Sequence, residues 1–280
     1  MPSQLTLQST VRLNDGNAMP VLGLGVFQMD DEQECIRAVQ TALDCGYRHI
    51  DTAAGYGNEA AVGTAIAQAP FPREAIFITS KVPPDRLGRA ATRRCVENSL
   101  RHLRTDVIDL YLIHWPRREG TEASHEELQA LRNEGKLRSV GVSNFSVRRF
   151  EEQFFPRITG IPAVNQFERH PFCANNALVD FCRRHGIQPV GYSPLGRGGS
   201  LSHAVIQRIA RAHNKTAAQV VIRWQLQHGV VVIPKSANPA RIRENADVFD
   251  FALGADEMAQ IDNLDSNASI IDWLPEHDWF

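Results

Sequence analysis

Eight short apolar runs, rich in β-branched residues and separated by helix-like stretches, constrain this chain more than any other feature. They begin with VLGLGV at Val21 and continue with YRHID ending at Asp51, AIFITSK ending at Lys81, VIDLYLIH ending at His114 and SVGVSN ending at Asn144. PAVNQ ends at Gln166, IQPVGYS at Ser193 and GVVVIPK at Lys235. Runs of this length and composition read as buried strands. Between them, DEQECIRAVQTALDCG sets Cys35, Ile36, Val39 and Leu43 at helical spacing, with Gly46 as a stop. TRRCVENSLRHLR, SHEELQALRNEGK, NALVDFCRRHG and AVIQRIARAHNK repeat the pattern. Several close on basic residues, as helix C-termini favour. Eight strand–helix units without a linker predict an α/β fold, a (β/α)8 barrel forming one domain over 1–280. A doubly wound parallel sheet is the alternative.

Two end segments do not fit a barrel unit. TVRLNDGNAMPVLG carries Asn-Asp-Gly-Asn between short apolar runs, which reads as a β-hairpin ahead of the first strand, suited to plugging the N-terminal mouth. NASIIDWLPEHDWF gathers Trp273, Leu274, Trp279 and Phe280 near the chain end. The expectation is a tail packed on the barrel or laid over the active-site mouth.

The bulk numbers exclude several classes. With 280 residues the chain can bury a large core. A net charge of −2 gives no reason to expect nucleic acid. No run approaches a membrane span, and the N-terminus lacks a secretory pattern. Five cysteines without a C-x-x-C pair argue against a disulfide framework or zinc site. A cytoplasmic monomer acting on a small molecule is the expectation.

In a barrel of this kind the active site lies at the C-terminal ends of the strands. Asp51, Lys81 and His114 fall at three consecutive strand ends, and Tyr56 follows Asp51 in a glycine-rich turn. A phenol can donate a proton, and a neighbouring ammonium would lower its pKa from about 10. Asp51 would hold Lys81 charged, and His114 would orient a substrate oxygen. Taken singly, each has an ordinary reading as a turn aspartate, core aromatic, solvated lysine or structural histidine; together they are harder to dismiss. No G-x-S-x-G elbow competes, and His114, His170 and Asp51 lack supporting metal-ligand spacing.

GYRHIDTAAGYGNEAAVG, LIHWP, GVSNF, NQFERHP, YSPLGRG and IPKSANPARIRENADVFDF occur in that order, and through them the chain resembles the aldo-keto reductases over nearly its whole length. The resemblance implies a (β/α)8 barrel that reduces aldehydes and ketones with NADPH, and assigns Asp51, Tyr56, Lys81 and His114 to the catalytic tetrad. It implies that Ser143, Asn144 and Gln166 bind the nicotinamide carboxamide and that Tyr192 stacks on the ring. Ser193, Leu195 and Gly196 would line the pyrophosphate path. Lys235, Ser236 and Arg241 would grip the adenosine 2′-phosphate, and Glu244 and Asn245 would meet the adenine. Two cations and a hydroxyl beside a helix start suit a phosphate dianion. Phe27 stands where relatives often carry tryptophan. With Trp115, and with Trp273 and Leu274 of the tail, it is the expected substrate wall. The segments RREGTEAS and GRGGSLS are short for the family, which implies an open site. Two alternatives remain at this stage. One is an NADPH-binding redox sensor of the same fold. The other is a barrel hydrolase or aldolase using Lys81 as a Schiff-base nucleophile.

Overall fold

The chain enters through the hairpin that the Asn14–Asn17 turn implied. In the computed structural model, which describes residues 5–271, β1 (Thr10–Arg12) pairs antiparallel with β2 (Ala18–Pro20). Met19 and Leu13 project from it into a buried cluster with Leu110, Leu112, Val164 and Val190. These are inward-facing residues of the barrel strands, so the hairpin stoppers the barrel from below. Polar contacts fix it: Asn17 Nδ2 donates to Arg138 O and Ser139 Oγ, both at 3.0 Å, and Asn14 Nδ2 donates to Pro162 O at 3.1 Å. Burying Met19 fully is worth about 1.5–3 kcal/mol.

Eight parallel strands follow in chain order around one sheet. They are β3 (Leu24–Gly25), β4 (His49–Asp51), β5 (Phe77–Val82), β6 (Ile108–Ile113), β7 (Leu137–Ser143), β8 (Val164–Glu168), β9 (Gln188–Tyr192) and β10 (Val231–Val232). The ring closes where Leu22 bridges Val232 and Gly25 bridges Lys235. There Gly23 N donates to Val232 O at 2.9 Å, and Gly25 N to Pro234 O at 3.1 Å. Closure and sequential order settle the choice against a doubly wound sheet, whose strand order must reverse. The strand ending at Gln166 in the sequence reading runs on to Glu168.

The helices form the outer ring: α1 (Glu32–Asp44), α2 (Glu59–Ala67), α3 (Arg89–Leu103), α4 (Thr121–Asn133), α5 (Asn176–Arg184), α6 (Ala204–Ala212), α7 (Ala217–Gln227), α8 (Pro239–Ala246) and α9 (Ala255–Asp262). In α1 the predicted stripe of Cys35, Ile36, Val39 and Leu43 is buried, and Asp31 caps the start by accepting from Glu34 N at 2.6 Å. Gly46, at φ +97°, ends it in the left-handed region. α4 begins at Thr121, so the connection after β6 is shorter than the RREGTEAS reading allowed. After β7 a π-helical turn over Arg149–Phe154 stands where a regular helix would be. Among the described residues no helix is long and apolar enough to cross a membrane.

Candidate active site

Parallel strands of one barrel bring their C-terminal side chains to one mouth. Lys81, one residue from the end of β5, donates from Nζ to Asp51 Oδ1 at 2.5 Å and to Thr52 O at 2.8 Å. The other carboxylate oxygen, Asp51 Oδ2, accepts from Gln166 Nε2 at 2.7 Å. Asp51 and Lys81 are 2% and 0% exposed, so the pair has no solvent to fall back on. Tyr56 ends a 3-10 turn over Ala54–Tyr56, and Gly57 follows at φ +74°. This sharp turn answers for the glycines in the sequence. Thr52 Oγ1 donates to Asn58 Oδ1 at 2.8 Å, and Asn58 Nδ2 donates to Val26 O at 2.8 Å, tying the turn to the segment after β3. The ring of Tyr56 lies under the Lys81 ammonium, 5.1 Å from centroid to Nζ. It meets His114 edge-on at 5.5 Å and Phe27 at 4.9 Å. The four expected catalytic side chains therefore converge.

Burial pushes the Asp51 carboxyl up and the Lys81 ammonium down, while their own contact opposes both shifts. The His114 imidazole is pulled to about 3, by burial first and then by the Lys81 charge. Tyr56 goes the other way from the sequence-based expectation. Its pKa lies well above the usual tyrosine value, because burial and then the Asp51 charge disfavour the phenolate. Lys81 touches the ring face, and its ammonium is already committed to Asp51 and Thr52.

A second network borders the first. Ser143 Oγ donates to Gln166 O at 2.8 Å. Asn144 Nδ2 donates to His114 O at 2.9 Å and Ser143 Oγ at 3.0 Å, and Asn144 Oδ1 accepts from Tyr192 OH at 2.8 Å. The residues expected at a carboxamide thus fasten one another and the His114 backbone. Above them opens a cavity of about 350 Å³ that reaches Tyr56 and His114 and is walled by Phe27, Trp115 and Ile271. Phe27 is 48% exposed at its rim. Trp273 and Leu274 lie outside the described residues.

Through Phe27, Ser193, Arg197 and Lys235 this cavity adjoins a groove of about 540 Å³. Leu195, Ser236, Arg241, Glu244 and Asn245 line that groove, as expected. Gly196 is set otherwise. It is buried, its N–H goes to Ser193 O at 2.9 Å, and it sits against the His170 ring. The start of α8 also differs from expectation. Asn238 Oδ1 accepts from Ala240 N at 2.9 Å and Arg241 N at 3.2 Å, and Pro239 has no N–H. The helix start is capped from within, so side chains dominate this end of the groove.

Backbone strain marks the same region. Gln28, Asn144, Ser193 and Arg197 all adopt positive φ, between 48° and 65°, and all line the cavity or groove. Of these only asparagine tolerates that conformation readily, and strain of this kind concentrates at functional sites. Arg197, Ile271, Thr52 and Asn58 were not singled out in the sequence. The Gly-Arg-Gly-Gly run pointed to a turn at Arg197, but nothing local ties the others to the mouth.

The sequence matches the Aldo/keto reductase family over residues 21–266. It is 44% identical to a glyoxal reductase of Bacillus subtilis over 265 residues, 95% of this chain and 96% of the relative. It is also 44% identical to a 9,11-endoperoxide prostaglandin H2 reductase of Trypanosoma cruzi, over 93% of each chain. Among solved structures, a Bombyx mori aldo-keto reductase in complex with NADP superposes with a TM-score of 0.90 at 33% identity, over 96% of each chain. An aldo/keto reductase from Brucella melitensis gives 0.88 at 41% identity, over 91% of this chain and 99% of that one. The family's cofactor is NADPH. Barrel topology, the converged mouth and these matches agree, and the chain is a member of the aldo/keto reductase family.

Proposed function

We propose that the protein reduces small aldehydes and ketones to alcohols with NADPH, taking the proton from Tyr56. The carrying observation is the buried Lys81–Asp51 pair, 2.5 Å apart, with the ammonium over the ring face of a tyrosine that lines an apolar cavity. NADPH supplies a hydride to the carbonyl carbon when bound. Everything else falls to the chain's own groups.

Tyr56 keeps its proton at neutral pH because burial and Asp51 disfavour the phenolate, so the donor is loaded before substrate arrives. The Lys81 ammonium over the ring face stabilises the negative charge left when the proton goes. Asp51 keeps that ammonium charged and fixed, and Gln166 holds the second carboxylate oxygen. His114 stays neutral down to about pH 3 and so can offer a ring N–H to the substrate oxygen without adding charge. Phe27 and Trp115 supply apolar wall and help exclude water.

The donor set fits NADPH. Lys235, Ser236 and Arg241 present two cations and a hydroxyl suited to a phosphate monoester, with Glu244 and Asn245 beside them for the adenine. Ser193 and Leu195 line the stretch between, where the pyrophosphate belongs, and Arg197 adds a cation there. Tyr192 bounds the nicotinamide end with Ser143 and Asn144, and Gln166 keeps its amide oxygen for the carboxamide. This chain's own residues make up the proposed site, which needs no residue from a second copy. Five free thiols suit a reducing, cytoplasmic setting.

The test is Tyr56→Phe, which keeps the ring and deletes the acid. General acid catalysis contributes roughly 10²–10⁴-fold. Turnover of aldehydes, read as NADPH consumption, should fall by that factor while NADPH still binds. A variant keeping most of its activity would remove Tyr56 from the chemistry.

A further inference from the structure

After α9 the chain runs to the edge of the barrel mouth, and a run of hydrogen bonds fastens it to the loop that follows β8. Ser266 N and Ala268 N both donate to Phe172 O, at 3.2 and 2.9 Å, and Ala174 N donates to Asp265 Oδ1 at 3.2 Å. The last two contacts converge on one buried side chain, Glu168, at the end of β8. Its Oε2 accepts from Ser269 Oγ at 2.7 Å, and its Oε1 accepts from Ile270 N at 2.8 Å. The very next residue, Ile271, walls the cavity that holds Tyr56 and His114. Glu168 does not line that cavity. It is 6% exposed, and its Oε1 is also 2.7 Å from His170 Nε2. His170 is 1% exposed and wedged under Gly196, so the carboxylate is braced from behind.

We propose that Glu168 is a positioning residue for substrate choice: it pins Ser269 and Ile270 so that Ile271 stands as a wall of the pocket. The inference rests on the carbonyl-reductase reading. Chemistry favours a carboxylate here. Two oxygens with several lone pairs can accept the Ser269 hydroxyl, the Ile270 amide and the histidine together. A glutamine of the same shape loses one accepting oxygen and turns two N–H groups on the same donors. The strap is then released at its last anchor, one residue before the wall. Aldehydes with a long apolar substituent reach Ile271 and lose contact with it; small dicarbonyls do not reach it.

The experiment compares Glu168→Gln, Ile271→Ala and the double variant on nonanal and methylglyoxal. KM for nonanal should rise about fivefold in each single variant, the loss expected when an isoleucine wall is partly removed. It should rise no further in the double variant, because Glu168 acts through Ile271. In Glu168→Gln, whose changed side chain lies outside the cavity, KM for methylglyoxal, kcat and NADPH affinity should stay put. Equal changes for both aldehydes, or effects that multiply in the double variant, would overturn the proposal. Should Glu168→Gln fold poorly, Ser269→Ala deletes one contact from the strap side and should shift the nonanal KM in the same direction. Hydrogen exchange gives a readout free of activity. The Ile270 amide should exchange faster in Glu168→Gln, while the Ser266 and Ala268 amides on Phe172 are unchanged. That result holds even if the wild-type protein reduces neither aldehyde, an outcome that would refute the functional reading and leave the clasp standing. An unchanged Ile270 amide would refute the clasp.

Discussion

Replacing Lys81 with methionine separates two consequences of one buried contact. The side chain keeps much of its volume, so little cavity is created, but Asp51 loses the ammonium 2.5 Å away. At 2% exposure the carboxylate is left with Gln166 alone on Oδ2. Breaking a buried pair in this way costs about 3–5 kcal/mol. The variant's sign of pH dependence follows from the same geometry. Burial already pushes the Asp51 carboxyl up, and without Lys81 nothing cationic opposes it. A folded-state pKa above the unfolded value means the native state binds the proton more tightly. Stability should therefore rise as pH falls through that raised pKa toward the unfolded value of about 3.9, by up to about 1.4 kcal/mol per unit. Denaturant unfolding at about pH 7 and at about pH 5 measures this directly. The double variant Asp51→Asn with Lys81→Met removes the stranded charge and should recover most of the stability at neutral pH, while aldehyde turnover stays abolished in both. If single and double variants unfold at the same midpoint near pH 7, the carboxylate is not held by the ammonium and the electrostatic account fails.

Three further outcomes follow from other parts of the barrel. Arg241→Ala should weaken NADPH by about 10–100-fold, the worth of one charge-assisted hydrogen bond, and leave NADH nearly unchanged; equal losses for both would misplace the phosphate grip. His49, wholly buried and 3.0 Å from Thr79 Oγ1, has its imidazole pulled by burial from an ordinary 6.5 to about 3. The unfolded chain takes up that proton first, so stability falls as pH drops below about 6.5, by about 2 kcal/mol at pH 5 from this group; His49→Asn should remove that share of the slope and leave the like share of His114, and an unaltered profile would contradict it. Gly63→Ala puts a Cβ 2.5 Å from His102 O, where α2 crosses the end of α3, and should lower the melting temperature by an overpacking cost of about 1–3 kcal/mol; an unshifted melting temperature would show that the helices part without cost.

The strands were legible because each is a short, continuous apolar run, which a fully enclosed barrel requires. The start of α2 was hidden inside GYGNEAAVG, where small residues and glycines read as turn; Gly63 is small because the helix packs there on the end of α3. α7 is buried along its whole length, Ala217 to Leu226, so it lacks the polar face that marks a helix by period. Asp51, Lys81 and His114 could be found because strand ends map onto one mouth. The role of Glu168 could not, since the two strap partners lie about a hundred residues on and one of them is a backbone amide. The upward shift of Tyr56 was also out of reach, because it depends on how deeply the folded barrel buries the phenol and on how near it lies to the Asp51 charge.

The self-capped start of α8 bears on how this protein can change over evolutionary time. Asn238 satisfies the first free amides of the helix whatever lies in the groove, so the helix does not depend on a bound phosphate for its own stability. Lys235 before the helix and Arg241 in its first turn carry exposed side chains. On the proposed phosphate grip, substitutions of those two side chains can therefore shift the choice between dinucleotides of different charge while the helix keeps its cap, and a descendant could exchange one cellular reductant pool for the other with Asp51, Tyr56, Lys81 and His114 left in place.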